Sequence, residues 1–241
     1  MVDERAIRRL IGDQRLSAYR EQRTFNFALR QYEWNVALSA AVYESLHRVE
    51  VTLRNALDRE LALWNQCQSG PGPFATHGHE WLVTPAPLLR RLLGSSWEKA
   101  RARVARRSRV SSADDERMHT EILAQLPFSA WRFLLPDQDP GRRFLWSHAT
   151  YRAFPGWDED PRVLTRTVAG LVNVRNRVAH LEPIIRPGYV ERKFTAMRRV
   201  VGAIDPAAEM WLVSRQRVTA VLGQRPRESV PPVGLDEQVQ P

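Results

Sequence analysis

The residues of this chain that are best suited to chemistry form the run Arg175-Asn176-Arg177-Val178-Ala179-His180. Histidine transfers protons near neutral pH because its unperturbed pKa is about 6.5. Arginine holds phosphate oxygens through paired N–H donors and stabilises the charge that develops on them. RNA supplies its own nucleophile, the 2′-hydroxyl, so these residue types suit RNA cleavage without a metal ion. We predict His180 to be the general acid or base and Arg175 the phosphate ligand.

The other polar residues of the run are predicted to support this site. Asn176 would orient a phosphate oxygen or the imidazole, and Arg177 would share the phosphate. On a straight helix with 3.6 residues per turn, however, Arg175 and His180 lie about 140° apart. Arg175 falls on the apolar face of that helix, and His180 falls on the opposite face, with Arg162, Arg166 and Asn173.

Three arrangements are compatible with this separation. A buried Arg175 needs a partner, and Glu50 is the candidate, in which case Arg175 shapes the site without touching substrate. Alternatively the helix loosens after Val174, or a second chain brings its own Arg175 beside His180. Glu50 and Arg54 are four residues apart in the favourable order for a helix-surface ion pair. We predict that both support the site. His47 and Asp58 continue the stripe of polar residues that Glu50 and Arg54 form on the surface of the same predicted helix.

The strongest helical pattern lies between residues 34 and 64. Apolar side chains recur there every three or four residues without a proline or glycine, which predicts one long amphipathic helix. The recurring residues are Leu38, Val42, Leu46, Val49, Leu53, Leu57, Leu61 and Trp64.

The rest of the chain is also predicted to be helical, so the fold class is all-α. Asp160-Pro161 supplies an N-cap and a first-turn proline for the helix that carries the motif. Ser111 or Ser112 would provide the N-cap of the helix expected over 111–125. The further helices are expected over 86–107, with an interruption at residues 94–96, and over 111–125, 189–204 and 207–222, with short helices and turns over 127–157. One domain over 1–222 is expected, followed by a disordered, proline-rich tail over 223–241.

Arginine gives this chain of 241 residues a formal charge of +9, which favours a polyanionic partner because neutralised phosphates release counterions. A one-sided basic stretch between residues 90 and 109 contains the predicted RNA-binding side chains Arg101, Arg103, Arg106 and Arg107. The same run also suits a solvated helix face. Trp97 within it is a candidate for base stacking, although a core position is the more usual role of such a residue.

Several classes of function are disfavoured. There is no apolar leader and no stretch approaching the roughly 18 apolar residues that a membrane span requires, so a cytoplasmic location without membrane insertion is expected. The sequence lacks phosphate-loop, nucleotide-fold and serine-hydrolase motifs, and no cofactor is expected. His77-Gly78-His79-Glu80 has no partner ligand set elsewhere, so no metal site is expected either. Attraction of the positive charge to an anionic membrane surface is the weakest alternative.

Three segments resemble one known family in their order along the chain. The run Arg175–His180, continued by Leu181-Glu182-Pro183-Ile184, is similar to the RNxxxH motif of the HEPN superfamily, and in particular to its Abi-like (AbiD/AbiF) abortive-infection proteins. The segments Tyr32-Glu33-Trp34-Asn35 with residues 47–57, and residues 126–131, resemble that branch as well. The resemblance covers roughly residues 26 to 204.

The resemblance implies a HEPN-type helical bundle with additional helices. It also implies a homodimer in which arginine and histidine from both protomers line one cleft and cleave RNA without a metal, in phage defence or as a toxin-like response. Some members of the superfamily only bind or assemble, so a non-catalytic RNA-binding or assembly module is the alternative. The sequence does not identify an RNA substrate or an inhibitory partner.

Overall fold

The computed structural model is mostly helical. It describes residues 4–20, 24–70, 72, 75–107 and 114–227, and these contain twelve α-helices, two 3-10 helices and no β-strand. The all-α class predicted from the hydrophobic spacing is thereby confirmed.

The helices are α1 (Glu4–Ile11), α2 (Asp13–Arg20), α3 (Phe25–Asn65), α4 (Pro87–Leu93), α5 (Ser95–Arg107), α6 (Asp115–Gln125), α7 (Phe128–Trp131), α8 (Pro140–His148), α9 (Pro161–Ala179), α10 (Tyr189–Ile204), α11 (Pro206–Arg215) and α12 (Val218–Gly223). The 3-10 helices Arg132–Leu134 and Thr150–Ala153 lie before and after α8.

Helix α3 is the element on which much of the fold is assembled. Its 41 residues correspond to about 60 Å at 1.5 Å per residue. The helix begins nine residues earlier than the hydrophobic pattern predicts, because the Thr24 hydroxyl accepts a hydrogen bond from the Phe27 N–H at 3.3 Å and caps it. All eight apolar residues that predicted this helix are buried. Helices α2, α9, α10, α11 and α12 pack along it.

Helix α9 carries the motif and begins where the sequence predicts. The Asp160 carboxylate accepts a hydrogen bond from the Arg162 N–H at 2.8 Å, and Pro161 occupies the first turn. One face of the helix is buried against α3, α7 and α10. The buried residues are Leu164, Val168, Leu171, Val172, Val174 and Val178.

Two predicted helices are each divided in the structure. The helix expected over 86–107 breaks at Gly94, whose φ of 48° separates α4 from α5. The helix expected over 207–222 breaks at Gln216, so α11 and α12 are distinct. Of the predicted capping residues of α6, Ser111 and Ser112 lie outside the described residues, and the Asp114 carboxylate accepts from the Arg117 N–H instead.

The packed part of the chain extends past residue 222, where the domain was predicted to end. The Pro226 carbonyl accepts a hydrogen bond from Gln31 at 3.2 Å, and Arg225 lies over the ring of Trp34. The last residues of the predicted tail, 228–241, lie outside the described residues.

Most of the large apolar side chains join one core cluster around α3. Trp97 belongs to it: the residue is 3% exposed, and its indole N–H donates to the Leu82 carbonyl at 2.8 Å. The base-stacking role considered for Trp97 is therefore wrong. Within the described ranges, no helix is both long and apolar enough to span a bilayer.

Candidate active site

The motif helix is intact through its functional residues. The backbone N–H of His180 donates to the Asn176 carbonyl at 2.8 Å, and α9 is regular up to Ala179. The arrangement in which the helix loosens after Val174 is therefore wrong. His180 is the residue that closes the helix.

A strained turn follows His180. The N–H of Leu181 donates to the Val178 carbonyl at 3.0 Å and that of Glu182 to the Arg177 carbonyl at 2.8 Å, which is the hydrogen-bond pattern of a Schellman cap. Leu181 takes the left-handed position of this cap with φ 59°, and among the described residues it is the one non-glycine with a positive φ. This region costs a residue with a Cβ atom about 1–2 kcal/mol. Backbone strain of this size is found at functional sites and also in ordinary helix caps.

Arg177 holds the segment after the turn. Its guanidinium donates to the Pro183 carbonyl at 2.7 Å, its Nε lies 3.3 Å from the Glu182 carboxylate, and the group sits over the ring of Tyr189. Since the hydrogen bond to Pro183 and the ion pair with Glu182 engage Arg177 within the chain, it is a positioning residue for the segment that follows His180.

Two further contacts fix the same segment from the neighbouring helices. The Arg15 guanidinium on α2 donates to the Leu181 carbonyl. The buried amide oxygen of Asn35 on α3 accepts from the Ile184 N–H at 2.9 Å. The strained turn is thus held by α2, α3 and Arg177 together.

His180 and Asn176 both face solvent at the end of α9. Their side chains are exposed, and within the described part of the chain neither makes a hydrogen bond. At 3.6 residues per turn they lie only about 40° apart around the helix. The imidazole and the amide are therefore free to contact the same ligand.

Arg175 lies on the other side of α9, in a cluster with α3. Burial raises the pKa of the half-buried Glu50 carboxyl, and the charges of Arg175, Arg54 and His47 oppose that rise. The Nε atoms of Arg175 and Arg54 are buried without a hydrogen-bond partner. Within one chain, the structure therefore brings Arg175 to Glu50 and not to His180.

Asp58, the other residue of the predicted stripe, has a different environment. Its Oδ1 accepts from the indole N–H of Trp81 at 2.7 Å and lies 2.9 Å from Nε2 of His119. The other ring nitrogen of His119 lies 3.4 Å from the Leu82 amide nitrogen. This group joins α3, the turn at residue 81 and α6, about 12 Å along α3 from Glu50. Sequence reasoning did not single out His119.

The predicted RNA-binding arginines lie on a separate surface. All four are exposed on α5: Arg101, Arg103, Arg106 and Arg107. Helix α5 packs against α6, which is joined to α3 through Asp58. The segment after His180 is joined to α3 at Asn35, about 35 Å from Asp58 along the helix. Within one chain, the basic helix and His180 therefore sit near opposite ends of α3.

An apolar groove adjoins the strained turn. It has a volume of about 520 Å³, and it runs between α1, α3 and the end of α9. Large apolar side chains are exposed along it: Leu10 is 75% exposed, Leu181 66%, and Val36 and Tyr43 47% each. A contiguous patch of exposed apolar side chains often marks a surface that contacts another molecule.

Comparisons with protein-family models, with curated proteins and with solved structures found no match to this chain.

The candidate metal motif serves the loop that contains it. Nδ1 of His77 lies 3.0 Å from the Thr84 carbonyl, and Nδ1 of His79 lies 3.8 Å from the Glu80 carboxylate. In the ranges that the structure describes, no three histidine, cysteine or acidic side chains are grouped closely enough to hold a metal ion.

Proposed function

We propose that this chain is a metal-independent endoribonuclease of the HEPN, Abi-like type, acting in the cytoplasm as a homodimer in phage defence. The observation that carries the proposal is the exposed imidazole of His180 on a strained turn that α2, α3 and Arg177 hold in place. An exposed proton-transferring group at a strained, rigidly supported position suits catalysis better than it suits stability.

The reaction needs two proton transfers and one displacement. His180 takes the proton from the 2′-hydroxyl of the RNA, and the 2′-oxygen then attacks the neighbouring phosphorus. The bond from phosphorus to the 5′-oxygen breaks, and that oxygen receives a proton. The products are a 2′,3′-cyclic phosphate and a 5′-hydroxyl. Arginine stabilises the charge on the non-bridging oxygens during this step.

The homodimer accounts for the separation of the two motif residues. In one chain Arg175 lies toward Glu50, on the side of α9 away from His180. Arg175 is only partly buried, so a second copy packed against that side of α9 would bring the exposed part of its own Arg175 to the His180 of the first, and one cleft would contain both residue types. The exposed apolar groove beside Leu181 supports such pairing, because burying Leu10, Val36 and Tyr43 against a second copy removes apolar surface from water.

One observation favours the alternative, a non-catalytic RNA-binding or assembly module. The ring of His180 makes no hydrogen bond to any described residue, whereas catalytic histidines are commonly oriented by a partner. Such a module would bind RNA through the exposed arginines of α5 and leave it intact.

Incubation of the purified chain with total RNA in excess EDTA separates the two functions. We expect cleavage that leaves cyclic phosphate and 5′-hydroxyl ends, and that is lost in His180→Ala while RNA binding remains. His148→Ala, which removes another exposed histidine from the end of α8, is the control and should cleave normally. RNA that is bound but intact, with and without Mg²⁺ or Mn²⁺, would establish the non-catalytic module instead.

A further inference from the structure

A second cavity of about 410 Å³ lies between the 3-10 helix Arg132–Leu134, the start of α8 and the first half of α9. Four arginines line it, and Asp137 is the one carboxylate among the lining residues. The arginines are Arg132, Arg142, Arg162 and Arg166. The cavity is therefore strongly cationic.

Two of these arginines already have partners. Arg142 is buried; it donates to the carbonyls of Leu135 and Arg132 at 2.6 Å each and to the Asp137 carboxylate at 2.9 Å. Arg162 donates to the Asp160 carboxylate at 2.9 Å. Arg142 thus builds the wall of the cavity, and Arg162 forms a neutralised part of its rim.

The other two arginines are less neutralised. The hydrogen bond from Arg162 is the main cause that lowers the pKa of the Asp160 carboxyl, and the charge of Arg166 adds to it. Within the described chain, neither Arg132 nor Arg166 has a carboxylate at ion-pair distance. The Nε of Arg132 is buried and has no hydrogen-bond partner, and its guanidinium is held over the ring of Phe133 at 4.7 Å. A guanidinium that lines a cavity without a carboxylate partner favours the entry of an anion, which forms charge-assisted hydrogen bonds with it.

We propose that Arg132 and Arg166 bind a backbone phosphate of single-stranded nucleic acid in this cavity. Two arginine forks in one pocket match the several acceptor oxygens of a phosphate. A neighbouring cavity shares Asp137 and Arg162 with the first and is lined also by Arg143, Asp160 and the half-buried Trp146. The Trp146 ring stacks on Phe154 within the chain, and the part of it that lines the cavity can contact a base of a single strand, which favours a strand over a free anion.

The pocket lies on the same exposed side of α9 as the candidate catalytic residue. Arg166 and His180 are fourteen residues apart, which is about 21 Å along the helix and within about 40° around it. That the strand is RNA cleaved at His180 rests on the proposed function. In that case the pocket binds a phosphate some nucleotides away from the cleaved bond and holds the strand in register.

Binding of a fluorescein-labelled, single-stranded 2′-deoxy octanucleotide to the full chain tests the pocket. This probe has no 2′-hydroxyl, so the result does not depend on whether the chain cleaves RNA. We expect Arg166→Gln to weaken binding about tenfold, and Arg132→Gln with Arg166→Gln to weaken it further, with a shallower dependence on salt. Arg215→Gln, which removes the same charge from α11, is the matched control and should bind as the unmodified chain does.

Adenosine monophosphate as competitor distinguishes a strand from a free nucleotide. Displacement of the probe only by unlabelled octanucleotide supports the assignment to a strand. Displacement by the mononucleotide at a similar concentration overturns it in favour of a nucleotide pocket. Arg166 is exposed and has no ion-pair partner, so Arg166→Gln should keep the melting temperature. Binding of Arg166→Gln and of the double variant within twofold of the Arg215→Gln control would overturn the proposal altogether.

Discussion

Glu50 on α3 and Arg175 on α9 interact electrostatically across the interface of these two helices. The carboxyl is half-buried, and the arginine Nε beside it is buried without a hydrogen bond. Five residues later in the motif, His180 faces solvent. One chain therefore presents only part of its motif to a ligand.

The pKa of Glu50 gives a prediction about stability. Burial raises this pKa above its unfolded value, so the charged carboxylate destabilises the fold at neutral pH, and the cost disappears at low pH where Glu50 is protonated in both states. Glu50→Gln mimics the protonated form. At pH 7 we expect the Glu50→Gln variant to have a higher melting temperature than the unmodified chain, and near pH 4 we expect the two melting temperatures to be similar. RNA cleavage by the variant should be reduced.

Glu44 provides the control on the same helix. A hydrogen bond from Arg217 lowers the pKa of the exposed Glu44 carboxyl, which is the opposite direction. Glu44→Gln should therefore leave the melting temperature at pH 7 unchanged or slightly lower. A Glu50→Gln variant that melts lower than the unmodified chain at pH 7 would show that the charge of Glu50 is needed for stability.

We expect Arg177 to act by holding the segment that follows His180 in place. Arg177→Ala removes the bond to Pro183 and the contacts with Glu182 and Tyr189, so we expect a loss of about 2 kcal/mol in the free energy of unfolding. RNA cleavage should fall as well, because the segment after His180 loses its support. The comparison is Arg186→Ala, an exposed arginine of the same segment, measured by denaturant unfolding and cleavage rate. Equal behaviour of the two variants would contradict this role.

The strained residue Leu181 gives a prediction of the opposite sign. Glycine adopts φ 59° freely, and the Leu181 side chain is mostly exposed, so Leu181→Gly should stabilise the chain by about 0.5–1 kcal/mol. Met210→Gly, at an exposed helical position, should instead destabilise it by about 1 kcal/mol. Both are measured by denaturant unfolding at one protein concentration. Destabilisation by Leu181→Gly would mean that the leucine makes contacts that outweigh its strain.

The parts of the fold that sequence predicts are those with a local cause. Neighbouring residues alone determine the long apolar repeat of α3 and the start of α9 at Asp160-Pro161. The sequence therefore predicts both features. Helices α1 and α2 were not predicted. Helix α1 has only eight residues and buries none of them, so its apolar residues Ile7, Leu10 and Ile11 recur over barely two turns, which is too short a stretch for spacing alone to predict a helix. Its place depends on α2, which packs on α3.

The same distinction applies to the candidate site. Helical phase alone predicts that His180 is exposed and that Arg175 faces the core near Glu50. The anchor of Asp58 with Trp81 and His119 joins residues 23 and 61 positions apart, so no local pattern reveals it. Leu181 in the left-handed region also contradicts the usual preference for glycine, and only the surrounding contacts specify it.

The shared cleft can be tested by complementation between two inactive variants. Arg175→Gln and His180→Ala should each abolish cleavage. In a mixture that exchanges subunits, the shared cleft of a mixed dimer keeps one intact Arg175 and one intact His180, which come from different chains, so we expect part of the activity to return. Different affinity tags on the two variants allow the mixed dimers to be purified and identified. If purified mixed dimers recover no cleavage activity, Arg175 and His180 of each site belong to the same chain, and the shared cleft is contradicted.

The cleavage rate of His180→Ala tests the central claim most directly. A defined RNA is incubated with excess protein in EDTA, and the single-turnover rate is compared with those of the unmodified chain and of His148→Ala. We predict a fall of about 10²–10⁴-fold for His180→Ala, the usual loss of a general acid or base, and no change for His148→Ala. A His180→Ala rate within twofold of the unmodified chain would contradict the assignment of this histidine as the catalytic residue.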